Sequence, residues 1–372
     1  MFCAGAAERR SSAPACESSR RHCTVQGATV SRITIIGAGD MGTALVTPLA
    51  HNDHQVRLWG TERDRVIIEA LRAGNVHPRL GISIPADVQT FTSAETADAF
   101  REAEVVVVAI TSDSVRAVLN RLAPLPGVPR VVVTVAKGFD AGPDSHGIQL
   151  LPVTIAEFIT APIVAVGGPS KANEVARGLP TAVVFGSPDA EAVAFARKVF
   201  ATPRYRIEPT DDIAGLEVAA AMKNAYAIAL GVADGLEQRT GLPHHNLRAA
   251  LFPLAVTEMG ALARALGGRA ETVFGLAGVG DLQVTITSGR NRLLGERIGR
   301  GDSPAEAVRA LASGGTTVEG YRAADFGYRF YRQAVDAAIV AEGKLPLLDA
   351  LWRVLYCDAE PAAAFWGAFS SF

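Results

Sequence analysis

Short runs of β-branched residues alternate with helical stretches between residues 32 and 210, a pattern typical of an α/β fold. Near-continuous apolar runs, of which "EVVVVAI" at 104–110 is the clearest, favour central parallel strands covered on both faces. We therefore predict a doubly wound sheet in this part of the chain. Six strands are predicted: Arg32–Ile36, Gln55–Trp59, Glu104–Ile110, Arg130–Val135, Ile163–Val166 and Ala182–Phe185.

The pattern changes near Pro209–Asp212, after which Ala and Leu recur with helical periodicity and β-branched runs become rare. We predict an all-α domain over 211–372, following the α/β domain over 32–210. Residues 1–31 are rich in Ser, Ala and Arg and lack periodicity. Arg and Ser would suit an organellar transit peptide, but Glu8 and Glu17 argue against one. We predict that residues 1–31 form a disordered N-terminal extension.

One apolar helical stretch, "VAAAMKNAYAIALGVADG" at 218–235, carries a lysine in its middle. On a helix, Lys223 shares its face with Ala219, Ala220 and Tyr226, so this face should be buried. A buried ammonium is costly unless it is paired or its pKa is lowered. Lys223 therefore either extends its amine along the apolar surface into water or has a chemical role.

The composition describes an ordinary globular protein, with 49% hydrophobic and 20% charged residues. A net charge of −2 leaves no basic surface, so no nucleic-acid partner is expected. Lys223, Asn224 and Asp234 interrupt the most apolar stretch, so no membrane insertion is expected. The four cysteines have neither C-x-x-C nor zinc spacing, so we predict no metal site and a reduced, cytoplasmic protein. These cysteines are Cys3, Cys16, Cys23 and Cys357.

The first predicted strand leads into "IGAGDMGTAL", in which Gly37, Gly39 and Gly42 form a G-x-G-x-x-G motif that opens a helix. Strand, glycines and helix in this order are the context of a dinucleotide-binding Rossmann turn. The glycines permit a tight turn, close approach of a pyrophosphate, and close packing of helix on strand. Asp40 and Met41, inside the motif, are further candidate cofactor-binding residues.

The residues after the second strand, "GTERDR", leave the choice of cofactor open. Glu62 could accept hydrogen bonds from the adenosine ribose, which favours NAD. Arg63 and Arg65 could instead hold a 2′-phosphate, which favours NADP. A solvated charged turn without a ligand would look the same.

Two further segments carry polar groups where a ligand could bind. Lys137 in "TVAKGFD" lies just past a parallel strand, at the sheet edge that holds ligands in such folds. Gly275, Gly278 and Gly280 crowd a predicted loop that delivers Asp281, and Thr285, Arg290 and Asn291 follow. Arg with Asn suits a phosphate, and turn and helix-cap roles are the alternative for Asp281 and Asn291.

Lys223 requires a counter-charge from outside its own helix. Asp234 is eleven residues away, about 16 Å along a helix, which is too far. Asp281 is the predicted partner.

Taken together, the motifs resemble those of the bacterial soluble NAD(P)-dependent glycerol-3-phosphate dehydrogenases. The resemblance runs from about Ile33 to "LPLLDALWRVLYC" near the C-terminus. The order and spacing of the shared blocks make it specific. The blocks are "GAGDMGTAL", "KG", "GPSKANE", "GLPTAVV", "AAMKNAYAIALGVADGL", "TEM", "GLAGVGDL", "RN" and "VEGYR".

The resemblance implies roles for matching residues. Lys223 would be the general acid/base, with Lys137 and Asp281 beside it in the catalytic group. The implied substrate-binding residues are Lys137, Gly168, Ser170, Asn224, Asp281, Thr285, Arg290 and Asn291. The implied cofactor-binding residues, besides the glycine motif and Glu62 or Arg63, are Lys137, Ala172, Arg290 and Glu319.

The sequence departs from the family pattern near the site, at Thr111, Lys171, Leu254 and Gly289. The implied reaction is reversible hydride transfer between NAD(P)H and dihydroxyacetone phosphate, giving sn-glycerol 3-phosphate for phospholipid synthesis. Another two-domain dehydrogenase, of the β-hydroxyacid or ketopantoate type, and a non-catalytic dinucleotide-binding sensor are the alternatives. A phosphorylated small-molecule substrate and a homodimer are expected.

Overall fold

A computed structural model describes residues 30–142, 147–313 and 318–370, so nearly all of the predicted N-terminal extension lies outside the described residues. The strands are β1 Arg32–Ile36, β2 Gln55–Trp59, β3 Gln89–Phe91, β4 Val105–Val108, β5 Val131–Thr134, β6 Phe139–Ala141, β7 Ile148–Leu150, β8 Ile163–Gly167, β9 Thr181–Gly186 and β10 Tyr205–Thr210. Helices of the first half are α1 Asp40–His51, α2 Arg65–Arg72, α3 Thr96–Phe100, α4 Ser112–Leu122, α5 Leu151–Ala156, α6 Ala172–Ala176 and α7 Ala190–Phe200. Helices of the second half are α8 Ile213–Thr240, α9 His245–Ala265, α10 Ala270–Phe274, α11 Asp281–Ser288, α12 Arg290–Arg300, α13 Pro304–Ser313, α14 Glu319–Asp336, α15 Pro346–Tyr356 and α16 Pro361–Phe369.

Eight strands form one sheet in the order β10-β9-β8-β5-β4-β1-β2-β3. Every neighbouring pair is parallel except β8 and β9, which are antiparallel. The order 3-2-1-4-5 around β1 is that of a doubly wound Rossmann sheet, whose ligands bind outside the carboxyl ends of the strands where the order reverses. The predicted fold class is confirmed, and the reversal lies between β1 and β4.

All six predicted strands are present, within two residues at each end. Four further strands were not predicted. β3 and the β6–β7 hairpin are three residues long each, too short for a periodic signal. β10 carries Arg206, Glu208 and Pro209, which are tolerated because it is an edge strand with one face exposed.

From Ile213 onward, the regular secondary structure of the described residues is helical throughout, as predicted. α8 runs through the middle of this half and is buried around its whole circumference. It begins after Asp212, whose carboxylate accepts a hydrogen bond from the Gly215 N–H at 2.8 Å. It ends at Gly241 in the left-handed conformation, with φ 69°.

Among the described residues, α8 is also the one helix long and apolar enough to cross a membrane by composition, and 89% of its most apolar window is buried inside the protein. That burial is the behaviour of a core helix.

Glycines allow α12 to lie directly against α8. A Cβ on Gly295 would stand 1.9 Å from the Ile228 carbonyl oxygen, and one on Gly231 would stand 2.2 Å from the Arg292 carbonyl oxygen. The two backbones are therefore closer than any larger residue would permit. This approach holds the first residues of α12 beside the middle of α8, where Lys223 lies.

Replacing Gly295 by Ala should destabilise the protein by about 3 kcal/mol, because the added methyl group overlaps a helix backbone that cannot retreat. Urea unfolding of the purified variant measures the loss. Gly367→Ala in α16 is the matched control: its Cβ would meet nothing within 4 Å, so helix propensity should make this variant slightly more stable. Equal stability of the two variants would contradict the packing described.

Candidate active site

The glycine turn after β1 leaves space for an anion at the N-terminus of α1. Gly37 has φ 103°, and a Cβ there would lie 2.6 Å from the Ala109 carbonyl oxygen. A Cβ on Gly42 would collide with the Gly37 carbonyl oxygen at 1.9 Å, whereas one on Gly39 would meet only the Arg79 guanidinium, at 3.7 Å. No side chain caps the first turn of α1, so its backbone N–H groups can bind a phosphate. The turn fits a dinucleotide.

The other two predicted residues of the turn, Asp40 and Met41, contact neighbouring parts of the first half of the chain. The Asp40 carboxylate accepts a hydrogen bond from Arg79 at 2.7 Å, and Met41 packs partly buried against the core of the sheet. Beyond β2, Glu62 and Arg63 lie exposed in a short 3₁₀ turn. Glu62 forms an ion pair with Arg121 at 2.9 Å. Both Glu62 and Arg63 remain available at the surface, so the geometry favours neither NAD nor NADP.

Lys137 lies at the carboxyl edge of the sheet, where it was predicted. It follows β5, and its neighbour strand β8 ends at Gly167. Because the two strands are parallel, the Lys137 ammonium reaches the carbonyl oxygen of Gly168, which accepts its hydrogen bond at 3.3 Å. Gly168 has φ 103°, a conformation that glycine adopts readily.

Asp281 is delivered to the same place by a helical turn rather than by the predicted loop. Residues Leu276–Gly280 form a π-helical turn that continues into α11, whose first residue is Asp281. The glycines make this wide turn possible: a Cβ on Gly278 would lie 2.1 Å from the Val273 carbonyl oxygen. Asp281 is only 1% exposed.

The Asp281 carboxylate is shared between the two lysines. Its Oδ2 accepts a hydrogen bond from Lys137 at 2.7 Å, and its Oδ1 accepts one from Lys223 at 2.5 Å. Lys223 also donates to the hydroxyl of Thr285 at 3.0 Å, and that hydroxyl donates to the Asp281 carbonyl oxygen at 2.6 Å. The contact predicted between Lys223 and Asp281 is present, and Asp234 binds Arg248 and Arg292 instead.

Burial lowers the pKa of Lys223 to about 8 from its ordinary value of 10.5. The charge of Asp281 opposes the fall, and the positive charge of Lys137 adds to it. Lys223 can therefore both give and accept a proton near neutral pH.

A network of amides joins three helices beside Lys223. Asn291 at the start of α12 donates to the side-chain oxygen of Asn224 at 2.9 Å and accepts from the Gly320 N–H at 3.0 Å. Asn224 also approaches Glu319, at 3.5 Å. Arg290 is exposed, with its guanidinium 3.7 Å from the Glu319 carboxylate. Arg290 is thus the exposed cation of this group, with Glu319 beside it.

The remaining predicted residues border the same edge of the sheet. The hydroxyl oxygen of Ser170 is buried without a hydrogen-bond partner among the described residues. Ala172 begins α6, directly after the half-buried Lys171.

Of the four departures from the family pattern, Gly289 has a clear structural reason. A Cβ on Gly289 would lie 2.1 Å from the Thr285 carbonyl oxygen, so the junction between α11 and α12 requires glycine. Thr111 precedes α4, and its hydroxyl lies 3.1 Å from the Ser114 hydroxyl. Leu254 is half-buried within α9. Nothing in the structure explains the presence of Lys171.

Sequence reasoning missed Glu217, which is fully buried in α8 and whose carboxylate oxygens accept no hydrogen bond from the residues that the structure describes. The available signal was an acidic residue in the apolar run "GLEVAAAM".

Comparison with known proteins covers most of the chain. Residues 32–193 match the family profile described as "NAD-dependent glycerol-3-phosphate dehydrogenase N-terminus", and residues 212–365 match the corresponding C-terminus. An NADP(+)-dependent glycerol-3-phosphate dehydrogenase of Archaeoglobus fulgidus is 37% identical over 331 residues, covering 87% of this chain and 95% of the relative. A glycerol-3-phosphate dehydrogenase [NAD(P)+] of Thioalkalivibrio sulfidiphilus is 36% identical, covering 87% of this chain and 92% of the relative.

Solved structures agree. The crystal structure of glycerol-3-phosphate dehydrogenase from Coxiella burnetii superposes with a TM-score of 0.77 at 31% identity, covering 91% of this chain and 98% of that one. A ketopantoate reductase family structure from Ralstonia eutropha has a TM-score of 0.52 at 17% identity, covering 90% of this chain and 99% of that one. The second likeness extends to the fold alone.

Replacing Asp281 by Asn should lower the free energy of unfolding by about 3 kcal/mol at pH 6, because two buried ammonium groups lose their counter-charge. The deficit should shrink as the pH rises toward about 8, the pKa of Lys223. The variant loses the Lys223 proton at lower pH than the wild type does, so stability moves in its favour over that interval. Urea unfolding at several pH values measures it.

Asp234→Asn is the matched control, since Asp234 also bridges two cations, Arg248 and Arg292, each at 2.8 Å. Arginines do not lose their protons in this range, so the deficit of this variant should not change with pH. A pH-independent deficit for Asp281→Asn would contradict the pairing described.

Proposed function

This chain belongs to the NAD-dependent glycerol-3-phosphate dehydrogenase family, as its sequence predicted, and we propose that its two-lysine site carries out that family's reaction. The reaction is reversible hydride transfer between NADH or NADPH and dihydroxyacetone phosphate, giving sn-glycerol 3-phosphate. Supplying glycerol 3-phosphate for phospholipid synthesis, the usual role of the family, is part of the proposal.

The observation that carries the proposal is the position of one buried carboxylate. Asp281 holds Lys223 and Lys137 together at the carboxyl edge of the sheet. The glycine turn of α1 opens on the same edge. A dinucleotide on that turn and a carbonyl beside the lysines would lie in one crevice.

Lys223 is the proposed general acid/base. As an ammonium it protonates the C2 oxygen of the substrate as negative charge develops there, and as a neutral amine it accepts the proton in the reverse direction. A pKa of about 8 makes both forms accessible near neutral pH. Lys137 stabilises the developing charge, and Asp281 and Thr285 fix the direction of the Lys223 amine. The bound nicotinamide supplies or accepts the hydride.

Arg290 is the proposed phosphate ligand, because its planar guanidinium is exposed at the start of α12 near the lysine pair. Asn291 and Asn224 support this position by joining α12 to α8. The carbonyl of Gly168 and the hydroxyl of Ser170 lie on the substrate side. Binding energy from the phosphate then holds the reacting carbon in place.

The cofactor would lie along the first half of the chain. Gly37, Gly39 and Gly42, with the first turn that contains Asp40 and Met41, would hold the pyrophosphate. Glu62 or Arg63 would contact the adenosine ribose. Ala172, Glu319, Lys137 and Arg290 would border the nicotinamide end.

Three broader points belong to the same proposal. The dinucleotide-binding domain extends over 32–210 and the substrate-binding domain over 211–372, since β10 ends at Thr210 and α8 starts at Ile213. The protein acts in the cytoplasm. It forms a homodimer, as the sequence resemblance implies; a monomeric mass by sedimentation would overturn this last point.

Replacing Lys223 by Met should lower kcat for dihydroxyacetone phosphate about 10³-fold and leave NADH or NADPH binding unchanged, because Met keeps the stem and removes the proton donor. Initial rates with both cofactors, and fluorescence titration of cofactor binding, measure the two effects. The exposed Lys198→Met is the control and should match the wild type.

Unchanged turnover in Lys223→Met would remove Lys223 from the mechanism. Turnover by the wild type of a non-phosphorylated keto acid, but not of dihydroxyacetone phosphate, would favour a ketopantoate-type enzyme. Cofactor binding without any turnover would favour a sensor.

Replacing Arg290 by Ala should raise KM for dihydroxyacetone phosphate by about 10- to 100-fold, the value of a hydrogen bond to a charged group. Arg300→Ala, an exposed arginine at the other end of α12, should leave KM within twofold. Steady-state kinetics at saturating cofactor distinguishes the two. Equal KM values for both variants would exclude Arg290 as the phosphate ligand.

A further inference from the structure

Glu217 is a buried carboxyl group for which the proposed reaction has no use. It lies in the second turn of α8 and is 0% exposed, and neither of its side-chain oxygens has a hydrogen-bond partner among the described residues. An ionised carboxylate in such surroundings lacks everything that normally offsets the loss of water. The group is therefore most stable as an uncharged acid.

The segments against which the start of α8 packs are apolar. Leu216, the neighbour of Glu217, contacts the positions of Gly167 and Gly186, so this end of α8 lies on β8 and β9. The segments Ile163–Gly167, Thr181–Gly186 and Leu276–Gly280, which pack against α8, contain no ionisable side chain.

Charged groups on the other elements packed against α8 are engaged elsewhere or exposed. Glu258 of α9 accepts hydrogen bonds from Tyr226 and from the Leu347 and Leu348 N–H groups. Glu319 of α14 lies near Asn224 and Arg290, Glu271 of α10 is exposed, Arg292 and Glu296 of α12 pair with each other, and Asp349 and Arg353 of α15 do the same. Asp281 of α11 is held by the two lysines.

Lys137 lies at the same end of α8 as Glu217: its ammonium donates to the Gly168 carbonyl oxygen, next to Gly167, against which Leu216 packs. Burial raises the pKa of Glu217 to about 8, and the positive charge of Lys137 opposes that rise. Lys137 is also the lysine that shares Asp281 with Lys223. Ionisation of Glu217 is therefore felt where the substrate binds.

We propose that Glu217 is a positioning residue that acts through Lys137: it remains an uncharged acid during turnover, and loss of its proton cancels the positive charge that Lys137 offers to the anionic substrate. The proposal rests on the proposed function, in which the substrate carries a phosphate and its C2 oxygen becomes negative.

The charge of the site explains the effect. With Glu217 uncharged, two ammonium groups and one carboxylate leave one net positive charge, which attracts the phosphate and the developing oxyanion. With Glu217 ionised, two ammonium groups and two carboxylates leave none. The contribution of these four groups to the long-range attraction for a dianionic substrate is then lost.

The loss of two protons, from Lys223 and Glu217, should therefore lower kcat/KM at alkaline pH. Reduction of dihydroxyacetone phosphate requires Lys223 as an ammonium and is favoured by Glu217 as an acid. Both groups have a pKa of about 8 and both are protonated below it. As pH rises through about 8, kcat/KM should fall more steeply than one ionisation permits, because loss of either proton lowers it.

The test is the variant Glu217→Gln, which has the shape of the uncharged acid and cannot ionise. We expect kcat/KM for dihydroxyacetone phosphate, at saturating cofactor, to match the wild type near pH 7. Toward about pH 9.5 the kcat/KM of the variant should fall as it would for the loss of one proton. At that pH it should exceed the kcat/KM of the wild type by about tenfold. A decline that coincides with that of the wild type would overturn the proposal.

Glu258→Gln is the matched control, the same substitution at a second buried glutamate, whose carboxylate binds Tyr226 and the first turn of α15 instead of lying beside the lysine pair. It should keep the steep decline of the wild type. A one-proton decline in this control as well would show that the change in slope does not come from Glu217, and the proposal would fall.

Infrared spectroscopy supplies a readout that does not depend on turnover. The wild type at pH 7 should show the carbonyl stretch of a protonated carboxylic acid that is absent from Glu217→Gln and disappears at alkaline pH. Absence of that band would overturn the proposal even if the variant failed to fold. Failure of the proposed function is seen separately, as a wild type that does not reduce dihydroxyacetone phosphate.

Discussion

The structure depends on one buried carboxylate that binds two ammonium groups. Asp281 is 1% exposed, and each of its oxygens accepts a hydrogen bond from a lysine. Removing water from three charged groups is costly, and it is tolerable only when the pairing geometry is good. Lys137 follows strand β5 of the sheet, Lys223 lies in the central helix α8, and Asp281 follows a π-helical turn. The parts of the chain that carry them must therefore be held together closely.

Glycines provide that closeness. Gly168 exposes its carbonyl oxygen to Lys137, and Gly278 permits the turn that presents Asp281. Gly231 and Gly295 let α12 approach α8, so that Arg290 and its neighbours stand beside the lysine pair. The site is thus a product of backbone contacts as much as of its polar side chains. Its electrostatics then follow from burial, which lowers the pKa of Lys223 and raises that of Glu217.

Sequence reasoning could predict the features that a short segment reveals on its own. A glycine motif between strand and helix predicts the turn at Gly37, and an ammonium in an apolar helix requires a counter-charge, which led to Asp281. Features that depend on packing could not be predicted. The β10 strand looks like a linker because its charges and proline are tolerated only at a sheet edge, and the π-helical turn looks like a loop because glycine runs usually are loops. Leu216, the residue before Glu217, packs against Gly167 of β8 and Gly186 of β9, which lie about fifty and thirty residues before it in the chain.

Burial and the opposing charge of Asp281 together leave Lys223 with a pKa near neutrality. Titration of the Lys223 amine by NMR, in protein with isotope-labelled lysine and with Lys223→Met to assign the signal, tests it most directly. The titration of the Lys223 amine should have its midpoint at about pH 8. This midpoint should move to lower pH in Asp281→Asn. A midpoint at the ordinary lysine value of 10.5, unchanged by Asp281→Asn, would contradict this expectation.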